Sequence, residues 1–131
     1  GEVYTSKVQS FTYGREYDIT LAKKFLNSGV RVLILDDFLA NGKAMKGLLD
    51  VCNQAGCSVA GIGICIEKGF QPGGAELRAA GYKLASLAIV NEMSDDHLTF
   101  REQYKTDFPL PGHTWQAYFV VPQRILWYTC L

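Results

Sequence analysis

Polar and apolar positions alternate at the start of the chain, where Val3, Thr5 and Lys7 oppose Tyr4, Ser6 and Val8, and residues 3–11 are expected to form a β-strand. Residues 18–21 give a second short strand, and 22–26 a turn of helix ended by Asn27-Ser28-Gly29. At 31–35 the alternation gives way to an unbroken apolar run, Val32-Leu33-Ile34-Leu35, the pattern of a parallel strand covered on both faces. From 43 to 55 the apolar positions are Ala44, Leu48, Leu49, Cys52 and Ala55, which share one face of a helix; Gly56 supplies the stop. Residues 58–66 are small and apolar and form another covered strand. A short helix over 73–80 closes at Gly81, a strand follows over 82–90, and 97–100 makes an edge strand. Strands alternating with helices at this spacing imply right-handed βαβ units: an α/β fold with a mainly parallel sheet and flanking helices.

Past residue 100 the character changes. Residues 101–112 are polar, with Pro109 and Pro111 close together, and 115–128 is crowded with aromatics that follow no clean period. We therefore divide the chain into a domain over 1–100 and a carboxyl-terminal tail over 101–131. The pattern leaves three alternatives open for 115–128: a strand plus a short helix docked on the domain, a partner surface, or a segment without an evolved fold.

The 131 residues suffice for one domain with a modest core. Lysine plus arginine and aspartate plus glutamate balance at 13 each, so no overall field draws the protein to nucleic acid or a membrane surface. An anionic ligand has to be held by local geometry. The four cysteines form no Cys-x-x-Cys pair and no histidine completes a zinc pattern, so no metal site is expected. Cys52 and Cys65 lie among apolar residues and read as reduced core thiols. The absence of a secretory signal or a membrane-length apolar run makes the cytoplasm the expected location.

Chemistry concentrates where the apolar run ends, in Asp36-Asp37-Phe38-Leu39-Ala40-Asn41-Gly42-Lys43-Ala44. Open α/β sheets bind ligands beyond the carboxyl ends of their strands, and the acid pair is placed there. A small-residue turn at a helix start leaves backbone N–H groups to hold an anion. Two acids for hydroxyl groups beside a phosphate cradle make a ribose 5-phosphate site; the plainer alternative is an acid capping a helix. Gly61-Ile62-Gly63 lies inside a strand without a third glycine at the offset of a dinucleotide fingerprint, and reads as structural. His97 and His113 stand alone.

Three segments together resemble the carboxyl-terminal half of the bacterial xanthine phosphoribosyltransferases, within the type I purine phosphoribosyltransferase family. They are Asp36-Asp37-Phe38-Leu39-Ala40-Asn41-Gly42; Gly61-Ile62-Gly63-Ile64 leading into Glu67-Lys68-Gly69-Phe70-Gln71-Pro72-Gly73; and Ser86-Leu87-Ala88. The resemblance runs from Val3 to Phe100. It implies transfer of the 5-phosphoribosyl group from phosphoribosyl pyrophosphate to a 6-oxopurine base. Asp36 and Asp37 would accept the ribose hydroxyls, and Ala40, Asn41, Gly42, Lys43 and Ala44 would hold the 5-phosphate. Lys68 would face the oxygen at purine position 6, and Phe70 would pack on the base. The resemblance further implies Mg2+ carried by phosphoribosyl pyrophosphate, and a homodimer. Ala40 stands where many 6-oxopurine enzymes have an aspartate, which points to the xanthine branch; Gly74 and Ile89 stand where basic residues are usual. The family's amino-terminal region has no counterpart before Gly1, so negligible turnover is expected of this chain alone. The alternatives are a non-catalytic sensor of phosphoribosyl pyrophosphate or nucleotide, and an inactive fragment of the enzyme.

Overall fold

The computed structural model describes residues 1–10 and 14–102, and the backbone of two further strands at 115–121 and 124–130. Strands β1 (Val3–Ser10) and β2 (Arg15–Ala22) form an antiparallel hairpin in continuous register from Val3↔Ala22 to Ser10↔Arg15. Alternation orients it as expected: Ser6 and Val8 are buried while Val3, Thr5 and Lys7 are exposed. A single 3-10 turn, Lys23–Phe25, replaces the turn of helix expected over 22–26.

The main sheet is built from β3 (Arg31–Leu39), β4 (Ser58–Lys68), β5 (Leu84–Met93), β6 (Leu98–Phe100), β7 (Trp115–Val121) and β8 (Arg124–Cys130), in the order β6-β5-β4-β3-β7-β8. The pairs β3–β4, β4–β5 and β3–β7 are parallel; β6 and β8 add antiparallel edges. This is the mainly parallel α/β architecture expected from the sequence. Of the alternatives open for 115–128, the backbone adopts a strand parallel to β3 and a second strand where a short helix was considered. The content of Ile125, Trp127, Tyr128 and Thr129 favours extended backbone.

Helix α1 (Lys43–Gln54) buries Met45, Gly47, Leu48, Val51 and Cys52. These join Val32 and Ile34 of β3, Ile62 and Ile64 of β4, and Val8, Ile19 and Leu21 of the hairpin in one core. Gly47 sets the fit between α1 and the hairpin: a Cβ there would lie 2.5 Å from Val8 Cγ2 and 3.0 Å from Ile19 Cδ1. Helix α2 (Gly73–Ala79) is short and buries Leu77. Cys65 corrects one expectation. It is exposed, whereas Cys52 is buried as expected, because Cys65 alternates with Ile62 and Ile64, which face the core. Exposed Leu87 on β5 belongs to the same pattern.

Candidate functional site

Strand β3 runs further than the apolar run predicts, carrying Asp36 and Asp37 inside its last turns of pairing and ending at Leu39. The buried positions along it are Val32, Ile34 and then Leu39, while pairing with β4 stays in register from Asp36↔Ile64 to Leu39↔Glu67. Both neighbouring acids are half-buried near the end of the strand. Each carboxylate turns back on the following peptide: Asp36 Oδ1 accepts from the Asp37 N–H at 2.9 Å, and Asp37 Oδ1 from the Phe38 N–H at 2.8 Å. Each carboxylate keeps a second oxygen able to accept from another donor.

Asp36 is pushed up to about 7. Burial is the largest cause; the Asp37 N–H opposes it, and the Asp37 carboxyl adds to it. Tyr17 of β2 is raised as well, by burial and then by the nearby Asp36 carboxylate.

The chain then turns through 40–42 into α1. Gly42 has φ +79°, a left-handed conformation that any side chain would strain. The Asn41 side chain accepts the Lys43 N–H at 3.0 Å, so the turn is capped from within. Among the described residues none accepts from the N–H groups of Gly42, Ala44 or Met45, which remain open to an anion. Lys43 Nζ donates to Gln9 Oε1 at 3.3 Å, tying the helix start to β1.

Asp36, Phe38, Ala40, Asn41, Gly42, Lys43 and Ala44 line one open cavity of about 180 Å³, with Gln9, Ser10 and Tyr17 of the hairpin on its far side. Asp37 lies beside it on β3, while Lys68 and Phe70 are not among its lining residues. Lys68 is the last residue of β4 and Phe70 follows it; the pairing of Glu67 with Leu39 brings Lys68 alongside the start of the turn. Phe70 is 48% exposed and rests on no core cluster.

Sequence reasoning missed two parts of this region. Hairpin residues Gln9, Ser10 and Tyr17 reach the cavity, a long-range contact with no local signal. Glu67 was seen only as part of a segment, yet it is 2% exposed and fully engaged. Arg78 Nη1 and Nη2 donate to its two oxygens at 2.6 and 2.8 Å, and Ser86 Oγ donates at 2.6 Å. Burial pushes the Glu67 carboxyl up. The bonds from Arg78 and Ser86, with the charges of Arg78 and Arg101, outweigh it and leave Glu67 below the usual carboxylate range. An acid inside an apolar strand, followed by Gly73-Gly74, was the available signal.

A parallel sheet with paired acids at the end of an interior strand, entering a glycine turn and a helix start, is the arrangement of this chain, and its fold is that of the type I phosphoribosyltransferases. Adenine phosphoribosyltransferase from Thermoanaerobacter pseudethanolicus superposes with a TM-score of 0.57 at 28% identity, over 67% of this chain and 48% of that one. The enzyme from Leishmania donovani gives 0.61 over 85% of this chain and 50% of that one, and at 17% identity shows the fold alone. In sequence the relatives are more particular: they are xanthine phosphoribosyltransferases. That of Bifidobacterium longum (strain NCC 2705) is 55% identical over 103 residues, 77% of this chain and 53% of the relative. That of Bifidobacterium animalis subsp. lactis is 59% identical over 93 residues, 71% and 48% respectively. The chain spans about half the length of the curated relatives it matches. No protein-family model matches it.

Proposed function

We propose that the chain is the carboxyl-terminal part of a purine-salvage enzyme that transfers the 5-phosphoribosyl group from phosphoribosyl pyrophosphate to xanthine, giving xanthosine 5′-monophosphate and pyrophosphate. One observation carries the reading: half-buried Asp36, with Asp37 beside it, shares one cavity with a glycine turn and a helix start whose N–H groups are open. Asp36 and Asp37 accept the ribose 2′- and 3′-hydroxyls. Backbone N–H groups of the turn over 40–44 hold the 5-phosphate, where small side chains let the anion approach. As the base displaces pyrophosphate from carbon 1, positive charge develops on the ribose, and positioning with exclusion of water supplies most of the catalysis. Mg2+ would arrive on phosphoribosyl pyrophosphate, without dedicated protein ligands, and would offset charge on the pyrophosphate and ribose oxygens.

Lys68 donates to the oxygen at purine position 6, and exposed Phe70 supplies an apolar face for the base. The working form is a cytoplasmic homodimer. Among the described residues no helix is long and apolar enough to cross a membrane.

Replacing both acids, Asp36→Ala with Asp37→Ala, abolishes binding of xanthosine or guanosine monophosphate in calorimetry. Unchanged affinity in a folded double variant refutes the assignment.

A further inference from the structure

We infer that Glu67, Arg78 and Ser86 are positioning residues that set the phosphate turn, although none of them lines its cavity. The inference rests on the phosphate-binding role proposed for residues 40–44.

The connection is short and made of backbone. Both Glu67 oxygens are taken, one by Arg78 Nη1 and the other by Arg78 Nη2 and Ser86 Oγ, so the carboxylate has one orientation. The first turn of α2 lies directly on it: a Cβ at Gly74 would sit 1.8 Å from Glu67 Oε1. The preceding residue, Gly73, touches the phosphate turn itself. Its N–H donates to the Ala40 carbonyl at 3.0 Å. A Cβ on Gly73 would lie 2.5 Å from Ala40 O and 2.7 Å from Gly42 N, and one on Gly42 would lie 3.1 Å from Gly73 Cα. Ion pair, helix start and turn are therefore stacked with no side chain between them. An ion pair between Lys46 of α1 and Glu76 of α2 ties the two helices a second time.

Stability alone does not account for a carboxylate buried to this degree, because well-packed apolar residues usually serve as well as a buried ion pair. What the pair supplies is direction. A forked guanidinium and a hydroxyl fix α2 against β4 and β5, and α2 fixes the carbonyl and N–H groups of the turn. The bulkless pair Gly73-Gly74 is needed for that transmission, which explains why Gly74 stands where a basic residue was expected.

The test compares guanosine 5′-monophosphate with guanosine on the full chain, wild type against Arg78→Lys, by calorimetry with the fold checked by circular dichroism. Arg78→Lys keeps the charge and loses the fork. The expected result is a loss of roughly tenfold or more in nucleotide affinity with guanosine affinity unchanged, since ångström-scale misplacement of a binding group costs this much. Ser86→Ala, which removes a single bond, shifts the nucleotide-to-nucleoside ratio in the same direction by less, and serves if Arg78→Lys does not fold. A wild-type preference for the nucleotide that both variants retain overturns the positioning role and leaves the site assignment standing. A wild-type chain without preference for the nucleotide removes the site assignment, and the positioning role with it.

Discussion

Asp36→Asn is expected to make the protein more stable at neutral and higher pH and, on the proposed role, to weaken nucleotide binding. The carboxyl is raised from 3.8 to about 7, chiefly by burial. Below the ordinary carboxylate range both the folded and the unfolded chain hold the proton. Between there and about 7 only the folded chain holds it, so stability falls as pH rises through this window. Above about 7 both states are ionised and the penalty is constant. A shift of about three units corresponds to ~4 kcal/mol at ~1.4 kcal/mol per unit, and partial contact with solvent reduces it to ~2–4 kcal/mol. Asparagine is isosteric and keeps an oxygen for the Asp37 N–H, so the substitution removes the charge and little else. Urea titrations at pH 5 and pH 8 read the effect: the variant gains ~2–4 kcal/mol over wild type at pH 8 and much less at pH 5. Equal gains at the two pH values, or a loss at pH 8, refute the claim that the folded state holds Asp36 at a cost.

Gly42→Ala forces a side chain into φ +79° and against Gly73 Cα; it is expected to cost ~1–3 kcal/mol in urea titration and to weaken nucleotide monophosphate binding in calorimetry. Gly47→Ala improves helix propensity but overpacks Val8 and Ile19, and a net loss of ~1–2 kcal/mol is expected in thermal unfolding, against a gain if the hairpin moves freely. Lys68→Ala, made in the full-length enzyme, lowers kcat/KM for 6-oxopurines more than for purines lacking that oxygen; equal losses across bases refute its role.

The sheet was legible because its strands announce themselves locally. Val32 to Leu35 and residues 58–66 are apolar runs of strand length, and the 3.6-residue spacing of Leu48, Cys52 and Ala55 allows one helix face. The turn at Gly42 was legible for the same reason, since small residues at a strand-to-helix junction are a local pattern. What sequence periodicity does not carry is the contact between distant segments. Glu67 with Arg78 and Ser86, Gly73 with Ala40, and Tyr17 with Asp36 are each decided by how elements pack. Cys65 failed in the opposite sense: apolar neighbours in sequence do not ensure that a strand face is covered.

Half-burial of both acids near the end of β3 links these observations. Asp36 and Asp37 are half-buried together, with Leu39 beyond them in the interior at 2% exposed. Burial first, and then the neighbouring Asp37 carboxyl, raises Asp36 and weakens the fold above the ordinary carboxylate range. On the proposed role, ligand hydroxyls donating to both carboxylates would favour the charged form, so the same groups that destabilise the empty site would strengthen the filled one. Nucleotide affinity is then expected to rise with pH up to about 7 in the wild-type chain. With Asp36 replaced by asparagine that rise disappears, so a variant profile that still climbs over the same range locates the titrating group elsewhere.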